Sequence, residues 1–150
     1  MRDGSVTASV DILVVEDDPD ELDMTLRALR TACAGSAVSV ARDGFEALLF
    51  IFCEGAYSTR DIRATPRLIL LDLALPKVDG FEVLRRLKGD PRTSTIPVVI
   101  LTSSREYRDI AEGYDAGANS YIVKPVDFQL FVGAVQSLGT YWLSLNQPRQ

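Results

Sequence analysis

Four short stretches of this chain carry the residue types that could do chemistry: Glu16-Asp17-Asp18, Asp72, Thr102-Ser103 and Lys124-Pro125. Each follows directly on an apolar run. Several carboxylates brought together repel one another, and they do not all stay ionised unless a cation joins them. Oxygen donors with positions left open suit magnesium, which keeps some of its waters and also takes phosphate oxygens. Lys124 could add a point charge to a phosphoryl oxygen, and Thr102 could donate a hydrogen bond to another. Each residue alone has an ordinary explanation, because acids after a strand are commonly helix caps and Lys-Pro is commonly a turn. Their shared placement is what needs explaining.

The elements around them set that placement. Residues 11–15 (DILVV), 37–41 (AVSVA), 67–73 (RLILLDL), 97–102 (PVVILT) and 120–124 (SYIVK) read as short strands. The third is apolar on both faces, as a central parallel strand should be. Between them lie segments of helical period. One starts at Asp18-Pro19-Asp20-Glu21, where Asp18 can cap, Pro19 suits the first turn and the acids favour the positive end of the dipole. It continues through Leu22, Leu26, Leu29 and Cys33. The second carries Phe45, Leu48, Leu49 and Phe52, the third spans 80–88, the fourth 105–115 and the last 127–145. Alternating strands and helices imply right-handed crossovers and a doubly wound five-stranded parallel sheet in an α/β fold with five helices. In such sheets ligands bind at the carboxyl ends of the strands, near the reversal of strand order. All four chemical stretches fall there.

Composition narrows the function classes. The chain has 150 residues, 47% hydrophobic and 25% charged, and fits a single buried core. With 16 basic and 21 acidic residues its net charge is -5, and without a long basic run no nucleic acid is an expected partner. It contains no histidine, so neither a Ser-His nor a Cys-His pair is available, nor a phosphohistidine carrier role. Cys33 and Cys53 lack metal spacing and are read as reduced thiols. The start lacks a signal-peptide core, and no stretch reaches the roughly 18 apolar residues of a membrane span. The expected location is cytoplasmic, with no membrane partner.

ILVVEDDPDE, LILLDLALPKVDGFEVLRRLK, PVVILTSS and ANSYIVKPV closely resemble the receiver domains of two-component response regulators. The resemblance covers about residues 10–145, with 1–9 and 146–150 as tails and no output domain expected. It implies a flavodoxin-like receiver fold and makes Asp72 the phosphoacceptor in a Mg2+-dependent transfer from a sensor histidine kinase. It also implies Asp17, Asp72 and the backbone carbonyl of Ala74 as metal ligands, with Glu16 acting through water. Thr102 and Lys124 would bind the phosphoryl group, and Tyr121 would be the aromatic partner of Thr102 in switching. Receivers usually carry a cis bond before the proline matching Pro125. Residues CEGAYSTRDIRATP and the ending TYWLSL resemble single-domain regulators that pair with phytochrome-type kinases, so a bacteriophytochrome is an expected partner.

Rival readings are weaker. A haloacid-dehalogenase-type phosphatase needs a second Asp two positions after the nucleophile, where Ala74 stands. A degenerate receiver would have lost the acceptor or the acidic pair, and a flavodoxin-like cofactor site would need a phosphate loop after the first strand. The last helix carries an apolar arc of about 220°, more than the ~100° stripe that packing on a sheet requires. Phe128, Phe131, Val135, Leu138, Trp142 and Leu145 alternate at three and four, as a helix–helix seam does. This predicts a homodimer with Phe128, Phe131, Val135, Leu138 and Trp142 at its interface.

Overall fold

A computed structural model describes residues 10–147. Strand β1 (Ile12–Val15) leads into helix α1 (Pro19–Ala32), β2 (Val38–Ala41) into α2 (Gly44–Phe52), and β3 (Leu68–Leu71) into α3 (Gly80–Gly89). Strand β4 (Val98–Thr102) precedes α4 (Tyr107–Asp115), and β5 (Ser120–Val123) precedes α5 (Phe128–Gly139). The five strands form one parallel sheet in the order β2-β1-β3-β4-β5. The order reverses between β1 and β3, which puts the ligand crevice above those two strands.

Alternate residues of each strand point to opposite faces, and both faces are covered. Ile12, Val14, Leu68, Leu70, Val99 and Leu101 pack with Leu22, Ala28 and Leu29 of α1 and with Phe131, Val135 and Leu138 of α5. Leu13, Val15, Ile69, Leu71, Val98 and Ile100 pack with α2 and α3. Within α2 the buried side is Ala47, Leu48, Phe50 and Ile51. Of the other residues that the helical spacing groups with Leu48, both Leu49 and Phe52 are half-buried and Phe45 is half exposed.

Aspartate caps govern where the helices begin. The carboxylate of Asp18 accepts from the amides of Asp20 and Glu21, that of Asp43 from Glu46, that of Asp79 from Glu82 and that of Asp127 from Leu130. Such caps satisfy amides that the first helical turn leaves without partners. Helix α4 starts after Glu106 without a side-chain cap, and Gly113 is its only buried residue. Gly80 opens α3 against the end of β3, where a Cβ would lie 2.4 Å from the Asp72 carbonyl oxygen. Only glycine lets the helix approach the strand end this closely.

The C-terminal segment departs from the expected single helix over 127–145. Helix α5 ends at Gly139 and continues as a wider π-helical segment, Thr140–Leu145. Its carbonyl at Leu143 accepts from Arg67 Nη2 at 2.6 Å. Three residues of the expected dimer seam are covered by the chain's own core. Phe131, Val135 and Leu138 are buried within the chain, and Trp142 packs against the same cluster. Phe128 is half-buried beneath the guanidinium of Arg27 on α1. Helix α5 lies against both the sheet and α1, and these two neighbours cover Phe131, Val135 and Leu138 of the wide apolar arc. Leu130, Tyr141 and Leu145 are the large apolar residues left exposed on this segment.

No helix of the described residues is long and apolar enough to cross a membrane. The Phe131→Ala substitution tests the packing directly. Loss of a fully buried aromatic ring is expected to lower the unfolding free energy by about 3–5 kcal/mol. Urea denaturation should give the same loss at any protein concentration, whereas a dimer seam would make the loss concentration-dependent.

Candidate functional site

The strand ends of β1, β3 and β5 converge on one ammonium group. Lys124 Nζ donates to Glu16 Oε1 at 2.6 Å, to Asp72 Oδ2 at 3.3 Å and to Glu21 Oε1. Lys124, Glu16 and Asp72 are all buried. The arrangement has a local cause in the sequence: Glu16, Asp72 and Lys124 each directly follow the last residue of a strand, at the carboxyl end where the crevice opens. Asp18 fixes the entry to α1 with its cap, and its own amide donates to Glu16 Oε2 at 3.2 Å. That turn brings Glu21, in the first turn of α1, over the same ammonium.

Asp72 is held from two sides. Its Oδ1 accepts from the amides of Leu73 at 2.7 Å and Ala74 at 3.4 Å, while Oδ2 faces Lys124. Burial pushes the Glu16 carboxyl up to about 7, the neighbouring charge of Asp72 adds to the rise, and the Lys124 hydrogen bond opposes it. Burial alone would lower the Lys124 pKa. The hydrogen bonds to Glu16 and Glu21 and the charge of Asp72 outweigh it and hold Lys124 protonated, well above the usual lysine range.

Thr102 is buried at the end of β4, beside a cleft of about 390 Å³ that Ala74, Ser103 and Ser104 also line. Its Oγ1 accepts from the Ser104 amide at 3.5 Å, and Ser104 Oγ donates to Asp109 Oδ2 at 2.6 Å. The Tyr121 hydroxyl donates to the Ser104 carbonyl at 3.0 Å. Ser104 therefore links the Thr102 end of the crevice to Tyr121 and to α4.

Most of the residues expected at the site come together, with three differences. Carboxylate oxygens of Glu16, Glu21 and Asp72 lie within 4.8 Å of one another, whereas Asp17 is exposed and outside that group. Glu21 was not expected there, because its sequence position reads equally well as an acid favoured by the helix dipole. No described peptide bond is cis, so the cis bond expected before Pro125 is absent, and Lys124 still reaches the pocket. The donor set itself fits a small hard dication: every candidate ligand is an oxygen, and three carboxylates face a single ammonium.

The model of the family described as response regulator receiver domain matches residues 12–136. The chain belongs to this family. It is similar to response regulator Rcp1 of Synechocystis sp., 36% identical over 132 residues, covering 88% of both chains. Among solved structures, a Mn(2+)-bound form of response regulator Rcp1 is 34% identical at TM-score 0.83, covering 93% of this chain and 98% of the other. The phosphorylated cyanobacterial phytochrome response regulator RcpA is 36% identical at TM-score 0.86, covering 95% and 100%. The bacteriophytochrome response regulator AtBRR is 47% identical at TM-score 0.74, covering 93% and 99%. As a receiver the chain is a two-component signalling protein whose family function is to take up a phosphoryl group on an aspartate.

Lys124→Met removes the one cation shared by two buried carboxylates. Breaking such a group by deleting one member typically costs about 3–5 kcal/mol. Thermal melting of the variant should show a loss on that scale, and millimolar magnesium should restore more stability to the variant than it adds to the parent.

Proposed function

We propose that Asp72 is the phosphoacceptor, and that it takes its phosphoryl group from a phosphohistidine on a sensor kinase of the phytochrome type. The observation that carries this reading is the Asp72 carboxylate itself, buried at the end of the central strand with Lys124 Nζ 3.3 Å from one oxygen. In the transfer an Asp72 oxygen forms the new P–O bond. The P–N bond of the donor breaks, and the imidazole leaves with the bonding pair. The chain does this by positioning and charge compensation, so phosphotransfer is self-catalysed and no separate enzymatic activity is assigned. A general acid two positions after Asp72, which a phosphatase of the dehalogenase type requires, is replaced by Ala74.

Asp17, Asp72 and the carbonyl of Ala74 would hold magnesium, with Glu16 acting through water. The cation supplies charge neutralisation for the phosphoryl oxygens. The exposed position of Asp17 beside the buried Glu16 leaves its carboxylate free to turn toward the crevice. Lys124 supplies a donor to the phosphoryl group, and Thr102 supplies its hydroxyl. Movement of Thr102 toward the phosphoryl group would alter the Ser104 loop that Tyr121 holds, and so the surface of α4, β5 and α5. The relatives named for phytochromes support the kinase class, and a cytoplasmic site of action goes with it.

A homodimer is retained as the second partner, on a different surface from the buried seam. Val126, 94% exposed just before α5, and Leu130, 67% exposed in its first turn, offer apolar area without disturbing the core. Leu130→Glu should leave the melting temperature within a degree or two and shift sedimentation toward monomer. A parent that is monomeric with and without phosphorylation would remove this partner.

The acceptor assignment is tested with magnesium and acetyl phosphate or a labelled phospho-kinase. Asp72→Asn should lose all acid-labile label while keeping its fold. Asp17→Asn should raise the magnesium concentration needed for half-maximal labelling by roughly tenfold or more, since losing even an outer partner of a metal typically costs about 10–100-fold in affinity.

A further inference from the structure

The three N–H donors of Lys124 are all engaged before any phosphoryl group arrives, one by each of Glu16, Glu21 and Asp72. An ammonium has only three donors. Lys124 can therefore keep its bond to Asp72 and add one to a phosphoryl oxygen only by giving up Glu16 or Glu21. The three are not equivalent. The side chains of Glu16 and Asp72 are 4% and 10% exposed, and that of Glu21 is 36% exposed. A carboxylate as buried as Glu16 is costly to leave without its counter-charge. Its other oxygen has only the Asp18 amide, at 3.2 Å. Glu21 stands at the mouth of the crevice, where water can replace the lysine at little cost.

Resting on the assignment of Asp72 as acceptor and Lys124 as its phosphoryl contact, we infer that Glu21 is a positioning residue that holds Lys124 in the unphosphorylated receiver and is the partner released on phosphorylation. It touches neither the acceptor nor the phosphoryl group. Its effect on the acceptor passes through the lysine, and measurement at saturating magnesium removes any share that Glu21 has in holding the cation. The first turn of α1 is built to place it, because the Asp18 cap binds the Glu21 amide and sets the direction of its side chain. Glu21 opposes phosphorylation by the strength of one partly exposed ion pair, and so sets how readily Asp72 is modified.

The test uses the full chain, with Glu21→Gln made alone and together with Lys124→Met. Two quantities are read at saturating magnesium: the maximal rate of Asp72 phosphorylation by acetyl phosphate, and the affinity for beryllofluoride followed by melting temperature. Glu21→Gln should raise both by about two- to fivefold, the range expected for an exposed ion pair. In the Lys124→Met background the same substitution should change neither, since interacting residues are non-additive in a double-mutant cycle. The beryllofluoride measurement stands even if the lysine variant labels too slowly to follow, and Glu21→Ala replaces Glu21→Gln if the latter unfolds. An unchanged or slower Glu21→Gln at saturating magnesium overturns the inference, as does an equal gain in both backgrounds, which would mean a general field effect. Absence of label on Asp72 in the parent would instead overturn the acceptor assignment.

Discussion

The site depends on a single electrostatic constraint: one buried ammonium must compensate three carboxylates at the strand ends. Lys124 lies between Glu16, Glu21 and Asp72, and two of these carboxylates are buried with it. Charges removed from water persist only when they are paired and hydrogen-bonded. The constraint pins the ends of β1, β3 and β5 and the first turn of α1 to a common point. It also leaves the crevice one or two charges short of neutrality, which is the condition under which a divalent cation binds and a phosphoryl group can be accommodated beside it.

The rest of the fold divides into a rigid part and a looser part around that point. Helices α1, α2, α3 and α5 each begin at an aspartate cap and bury four or more residues. Helix α4 has no side-chain cap and buries only Gly113. Local stability follows buried contact, so α4 and its preceding loop are where a change at Thr102 can propagate at low cost. The Ser104 network lies on this route: Thr102 on one side, Asp109 of α4 and the Tyr121 hydroxyl on the other.

The last helix shows how a correct pattern can leave open which neighbour covers it. Its apolar arc is wide, and the three–four spacing of Phe128, Phe131, Val135, Leu138 and Trp142 is real. Helical period reports which side chains need cover, not what supplies it. Here α1 and the sheet supply it together, because the crossover connections place α1 and α5 on the same face. The ambiguity between an intrachain and an interchain neighbour is not resolvable from one helix read alone.

The sequence by itself determined the α/β class, the five strands, the Asp18 cap, and the set Glu16, Asp72, Thr102 and Lys124 at strand ends. These are local properties: apolar runs of four to five residues, turn and cap chemistry, and polar residues directly following a strand. The tertiary structure alone decided which carboxylates share the lysine. Glu21 lies on a helix and Asp17 beside β1, and nothing in their spacing says that Glu21 reaches Lys124 while Asp17 stays in solvent. Residues 103 positions apart meet because the sheet order β2-β1-β3-β4-β5 and the pitch of α1 bring them together. Such contacts depend on the direction of a side chain in three dimensions, which periodicity does not encode.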